Sequence, residues 1–242
     1  MIEFDWLLVA ALSSIALAGV IRGIVGFGAG MIIVTSLAII YDPITGVIML
    51  VLLDIPSAIQ LGPSIYRHTK WKVIFILLLS ALPSIPLGVW VLSVSEPELL
   101  RRLISLFVLA FAILNATGWQ IRKTPNLVTH LFVGGLSGFL TGVAALGGPP
   151  IILFFLSLRY PKEVFRSSTL TFLILSSFFA LIFYFGNDLI TLRHVYVFLL
   201  ATPIYLISMW FGTSIFKRVS ERKFRHIAVF IIMIIALVGI FK

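Results

Sequence analysis

Apolar runs of bilayer-spanning length, separated by short polar links, follow one another along almost the whole chain. They lie near 44–65, 71–92, 101–119, 164–185, 193–214 and 225–241. A spanning helix needs about 20 such residues. Two further apolar stretches, Trp6 to Gly30 and 128–146, end in glycine clusters, and each is followed by a short apolar piece, Met31–Ile40 and Pro149–Leu158. With 60% of 242 residues apolar and 11% charged, against about 25% charged in a soluble domain, the chain is expected to be an all-α integral membrane protein. A soluble catalytic head has no room. The opening Met1-Ile2-Glu3-Phe4-Asp5-Trp6 is acidic and lacks the basic segment of a cleaved signal peptide.

The net charge is +9. In a soluble protein it would raise nucleic acid as a partner. Here the basic residues sit in the links, where they orient the chain across the membrane, so lipid is the expected surroundings and nucleic acid is not a partner. Cysteine is absent, which excludes disulfides, thiolate metal sites and a cysteine nucleophile. No metal-ligand cluster, phosphate loop or cofactor motif stands out, so no metal, cofactor or catalytic residue is expected and the chain does not read as an enzyme.

The order of segments repeats. Gly19 and Gly23 match Gly134 and Gly138, Gly30 and Pro43 match Gly148 and Pro161, and Gly88 matches Gly212. This divides the chain into a first repeat at 1–120, a cytoplasmic linker at 121–127 and a second repeat at 128–242, each a glycine-broken helical hairpin plus three transmembrane helices. If each hairpin returns to its starting side, the halves are inverted. With the N-terminus outside, thirteen of the 18 basic residues, Arg166 among them, then fall on the cytoplasmic side. Arg101, Arg102, Arg193 and Lys242 fall outside. If each hairpin crosses once, that bias disappears. Inverted repeats are therefore expected, as in many transporters.

Glycines 23, 26, 28 and 30 are too dense for a regular helix, and broken backbone is tolerated at membrane depth only inside protein or beside a wet cavity. Gly19, Gly23, Gly134 and Gly138 suit close helix packing. Gly26, Gly28, Gly30, Gly147, Gly148 and Pro149 suit a binding site, because Pro149 can open a half-helix whose N-terminus would attract an anion. Two charges lie within apolar stretches, Arg22 and Asp54, and such charges usually face a partner or a pathway. They read either as a structural pair or as an anion site in which Arg22 binds and Asp54 tunes it or carries a proton. Pro56 should kink the helix that holds Asp54. The second half has hydroxyls instead, Ser167 to Thr171, with Thr171 a candidate ligand group. Gly135-Leu136-Ser137-Gly138 matches the GxSG of intramembrane serine proteases, but no histidine is placed at depth to serve as its base. A membrane subunit whose buried charges merely pair is the other rival reading.

The stretch Arg22-Gly23-Ile24-Val25-Gly26-Phe27-Gly28-Ala29-Gly30, with Asp42-Pro43, Leu53-Asp54 and Gly147-Gly148-Pro149, resembles the TauE/SafE sulfite-exporter family over essentially the whole chain. The resemblance implies a prokaryotic inner-membrane secondary transporter, an exporter, of small sulfur-containing anions such as sulfite or organosulfonates; a homodimer is the assembly to test for. One departure is that Met31-Ile32-Ile33 lacks the proline many members carry there.

Single cysteines at Asn126 and Asn187 are expected to react with an impermeant thiol reagent from opposite sides of the membrane. Labelling of both from one side would contradict the inverted arrangement.

Overall fold

A computed structural model describes residues 6–116, 126–158 and 160–220. The expected span at 225–241 and most of the linker lie outside the described residues. Among those described there are nine α-helices and no strand: α1 (Trp6–Val25), α2 (Ala29–Ile40), α3 (Pro43–Ile65), α4 (Trp71–Val94), α5 (Pro97–Ala116), α6 (Leu127–Ala144), α7 (Gly148–Ser157), α8 (Lys162–Gly186) and α9 (Leu192–Arg218). Six of them, α1, α3, α4, α6, α8 and α9, are long and apolar enough to cross a membrane. The protein is a multi-pass helical membrane protein. The described part of the segment read as a span at 101–119 belongs to α5, with Glu98, Arg101 and Arg102 in its first turns, but α5 is not among these six.

Local chemistry explains where the helices start and stop. Asp42 accepts the Thr45 backbone N–H at 2.8 Å and the Thr45 hydroxyl at 2.6 Å, with Pro43 in the first turn, which fixes the start of α3. Asn126 does the same for α6 through the Thr129 N–H at 2.9 Å. The breaks are short. α1 runs through Gly23 to Val25, and only Gly26-Phe27-Gly28 separates it from α2, with φ of +87° and +86° at the two glycines. Those angles are accessible to glycine at little steric cost. The second break is Ala145-Leu146-Gly147, where Ala145 takes φ +53°. α3 continues as one helix through Pro56 and Pro63.

The order long, short, long, long occurs twice, as α1 to α4 and α6 to α9. Each opening helix packs most extensively on the last of the other set, α1 on α9 and α6 on α4. Glycine permits that approach. A Cβ added at Gly23 would stand 2.3 Å from the Met209 carbonyl oxygen and 2.8 Å from Gly212 Cα, and one at Gly142 would stand 2.2 Å from the Ile85 carbonyl oxygen and 2.9 Å from Gly88 Cα. Gly19 meets Tyr205 and Ser208 as Gly138 meets Ala81 and Ser84. By contact, then, Gly19 corresponds to Gly138 and Gly23 to Gly142, one helical turn later than matching the sequence alone suggests. In both pairs the contacts advance together along the two helices, so α1 runs parallel to α9 and α6 parallel to α4.

α3 and α8 form the centre. Asp54 meets Ser177, Thr69 meets Thr171 and the Lys70 N–H meets Ser168, so these two helices run antiparallel. Outward faces of α4 and α9 carry exposed apolar side chains such as Trp90, Leu87, Trp210 and Ile207, which suits contact with lipid.

Gly142→Ala should drive a methyl into the α4 backbone and cost about 1–3 kcal/mol. Gly62→Ala, in α3 with nothing within 4 Å of its would-be Cβ, should instead be neutral or stabilise by up to about 1 kcal/mol through helix propensity. Thermal melting of the two purified variants in detergent checks the contrast.

Candidate functional site: a cavity between the two breaks

α1 ends beside α3, and this brings Arg22 against Asp54. Both side chains are buried, and Arg22 Nη2 stands 2.6 Å from Asp54 Oδ1. The contact is a buried charge pair, and Arg22 Nε has no hydrogen-bond partner. Ser177 of α8 donates its hydroxyl to the other carboxylate oxygen at 2.5 Å. This pair adjoins a small cavity of ≈ 30 Å³, more than the ~10–15 Å³ one water requires.

Both breaks reach that cavity. Phe27, Gly28 and Gly30 line it from the first hairpin, and Ala145, Leu146, Gly148 and Pro149 from the second. α3 supplies Leu50 and Asp54, α6 supplies Thr141, and α8 supplies Leu173, Ser176 and Ser177. Phe27 is held by an edge-to-face contact with Phe165, ring centres 5.9 Å apart. The N-terminal ends of α2 and α7 thus face one small space. A helix leaves its first four N–H groups without intrahelical partners and carries about half a positive charge there. The two ends differ in donors. In α7, Pro149 and Pro150 occupy the second and third positions, so two of those four groups are missing. α2 has no proline in its first turn, and Gly28 gives it no side-chain cap. The first half-helix is therefore the richer donor.

Of the residues singled out in the sequence, Arg22, Gly28, Gly30, Asp54, Gly148 and Pro149 line the cavity. Gly26, Gly147 and Thr171 do not. A Cβ at Gly26 would meet Arg166 Cγ at 2.9 Å, and one at Gly147 would meet Thr141 Oγ1 at 2.1 Å, so both serve close packing behind the wall. Gly148 is different, with only ordinary contacts around its would-be Cβ. Thr171 shares a 2.8 Å hydrogen bond with Thr69 and ties α8 to the α3–α4 connection. The α7 half-helix begins at Gly148, ahead of the prolines expected to open it.

Arg166 is the principal group that the sequence reading misplaced. Counted there only as a charge on the cytoplasmic side, it belongs to the second turn of α8 and is 3% exposed. Its Nη2 donates to the Gly23 carbonyl at 2.7 Å and to Thr213 Oγ1 at 3.3 Å, and its guanidinium lies 4.5 Å from the Phe216 ring centre. Ser176 and Ser177 were also missed. Two adjacent hydroxyls in the middle of an apolar run were the available signal.

Ser137, the nucleophile of the protease reading, is buried and its hydroxyl has no hydrogen-bond partner. The described histidines are engaged elsewhere. His130 Nδ1 pairs with the Asn126 carbonyl at 2.7 Å, His194 Nε2 with the Thr45 hydroxyl at 3.1 Å, and His68 Nδ1 with the Ser64 carbonyl at 3.4 Å.

Two broken hairpins enclosing a small polar cavity within a multi-pass bundle define the architecture of a membrane transporter. The chain matches the family described as Sulfite exporter TauE/SafE over residues 11–239, and it belongs to that family. It is also 26% identical to a probable membrane transporter protein of Methanocaldococcus jannaschii, over 99% of this chain and 97% of that protein. No solved structure matches.

Removing Asp54 alone should cost about 3–5 kcal/mol, because it leaves the Arg22 charge buried without its partner. Asp54→Leu should therefore melt well below the wild type, and Arg22→Leu combined with Asp54→Leu should recover most of the loss. A double variant no more stable than Asp54→Leu would show that the pair is not coupled.

Proposed function

We propose that this protein is a secondary transporter that exports small sulfur-containing anions, such as sulfite or organosulfonates, across the cytoplasmic membrane of a prokaryote. The observation that carries this reading is the cavity itself. Two helix N-termini, an arginine with a free N–H and three hydroxyls converge on a space of a few atoms, and helix N-termini with arginine favour oxyanions. Family membership supplies the transport role, and sulfite is the substrate class in the family's description.

In this mechanism the anion takes over the Arg22 guanidinium, whose planar fork suits two oxygens, while Asp54 retains the Ser177 hydroxyl. The substrate is moved, not transformed, so the protein is not an enzyme and needs neither metal nor cofactor. The two sets of helices act as inverted repeats, 1–120 and 128–242, with the N-terminus outside. Antiparallel running of the equivalent helices α3 and α8 supports this, as does parallel packing of α1 on α9 and α6 on α4. Direct repeats would run α3 and α8 the same way. Rocking of one repeat against the other would open the cavity to alternate sides.

Sulfite or a sulfonate, at about 100 times its dissociation constant, should stabilise the purified protein by about 2.7 kcal/mol, with smaller effects from sulfate and carboxylates. Reconstituted protein should carry the stabilising anion into liposomes. Gly148→Leu, which would fill the cavity beside α7, should insert normally and lose that flux. Absence of both stabilisation and flux across the panel would reject the reading in favour of a membrane subunit with structural charges.

A further inference from the structure

The two broken helices are finished differently, and the difference points to a second site. Helices that end inside the bundle expose carbonyls that need donors. At the end of α6 the Tyr184 hydroxyl meets the Thr141 and Gly142 carbonyls at 2.7 and 2.8 Å. At the corresponding end of α1 the donor to Gly23 is Arg166, at 2.7 Å. Both donors come from α8. A neutral hydroxyl therefore suffices for the capping task, and Arg166 brings a charge the task does not require.

That charge has no carboxylate within ion-pair distance among the described residues, although the side chain is 97% enclosed, and its Nε has no hydrogen-bond partner. A cation beside helix carbonyls gains less than burying an unpaired ion costs. Phe216 lies against two cations, Lys162 Nζ 4.9 Å and Arg166 4.5 Å from its ring centre. Lys162 keeps 16% of its side chain exposed. Arg166 is seven residues, about 10 Å along the axis of α8, from Leu173 on the cavity wall, and its bonded partner Gly23 adjoins Arg22. The cations thus succeed one another inward from a bundle end that also holds Lys217 and Arg218.

We propose that Arg166 is a second anion-binding station, which receives a small oxyanion at the basic end of the bundle, past Lys162, and passes it to Arg22 in the cavity. The station rests on the small-anion reading above. As the anion arrives it replaces the Gly23 carbonyl as the partner of the guanidinium, which loosens the tie between α1, α8 and α9 on that side.

The test is sulfite transport by proteoliposomes carrying wild type, Arg166→Gln or Arg166→Lys, with melting temperatures measured alongside. Arg166→Gln should raise KM for sulfite about tenfold, as loss of one charge-assisted contact implies. Arg166→Lys, which keeps the charge, should stay within about threefold of wild type at a similar melting temperature. Tyr184→Phe should lower the melting temperature with KM unchanged, since it removes only a cap. If Arg166→Gln leaves KM unchanged, or if Lys and Gln are equally impaired, Arg166 is a cap alone and the proposal fails. Should neither variant insert, Lys162→Gln decides. A KM raised about threefold with a weaker rise at high salt supports the station, and an unchanged KM overturns it. Wild-type protein that moves no sulfite would instead reject the transport reading on which the station rests.

Discussion

Two helices stop inside an apolar bundle, and the peptide groups at their ends cannot turn to bulk water. Much of the arrangement follows from satisfying them. α8 passes both ends and supplies a donor to each, Arg166 to the Gly23 carbonyl and Tyr184 to the carbonyls of Thr141 and Gly142. With the carbonyl ends closed, the N–H ends of α2 and α7 are left facing the cavity. Broken backbone in a membrane persists only under this kind of protection, so the element that makes the breaks tolerable also frames the space between them.

Close packing sets the position of those ends. Gly23 against Gly212 and Gly142 against Gly88 bring helices near enough that a single methyl would meet a backbone atom. Hydrocarbon provides no hydrophobic drive for helices to associate, so contact area at short range has to supply the cohesion. The glycine pairs lock α1 to α9 and α6 to α4. The broken ends are then held by the opposite set of helices.

Charge is distributed unequally over this balanced frame. By the contact-based correspondence, Arg22 in the first set matches Thr141 in the second, and both line the cavity. Capping is divided the same way, arginine at one end and tyrosine at the other. Two arginines therefore lie toward the ends of α8 and α9 that carry Lys162, Lys217 and Arg218. The polar side chains that the second set gives to the cavity, Thr141, Ser176 and Ser177, are neutral.

The helical membrane class, the repeated order, the breaks at the glycine clusters and the isolation of Arg22 and Asp54 were legible in the sequence. Each is a local property: apolar length, glycine density, or a charge among apolar neighbours. Glycine's role was only half legible, because a sequence shows that a side chain is missing and not which backbone fills the gap. Gly26 and Gly147 pack behind the wall, whereas Gly28 and Gly148 line the cavity, and that division depends on which helix approaches each of them. Thr171 pairs with Thr69 instead of reaching the cavity for the same reason. Arg166 shows the limit most clearly. Beside Lys162 it looks like one more basic residue at a helix start, and only the approach of Gly23 from α1 and of Thr213 and Phe216 from α9 turns it into a buried cation on an orphan carbonyl. The sequence by itself determined the helices and where they break, since those follow from neighbours along the chain. The tertiary structure decided which groups meet at the breaks, because the contacts that satisfy a buried peptide group or charge come from helices far away in sequence.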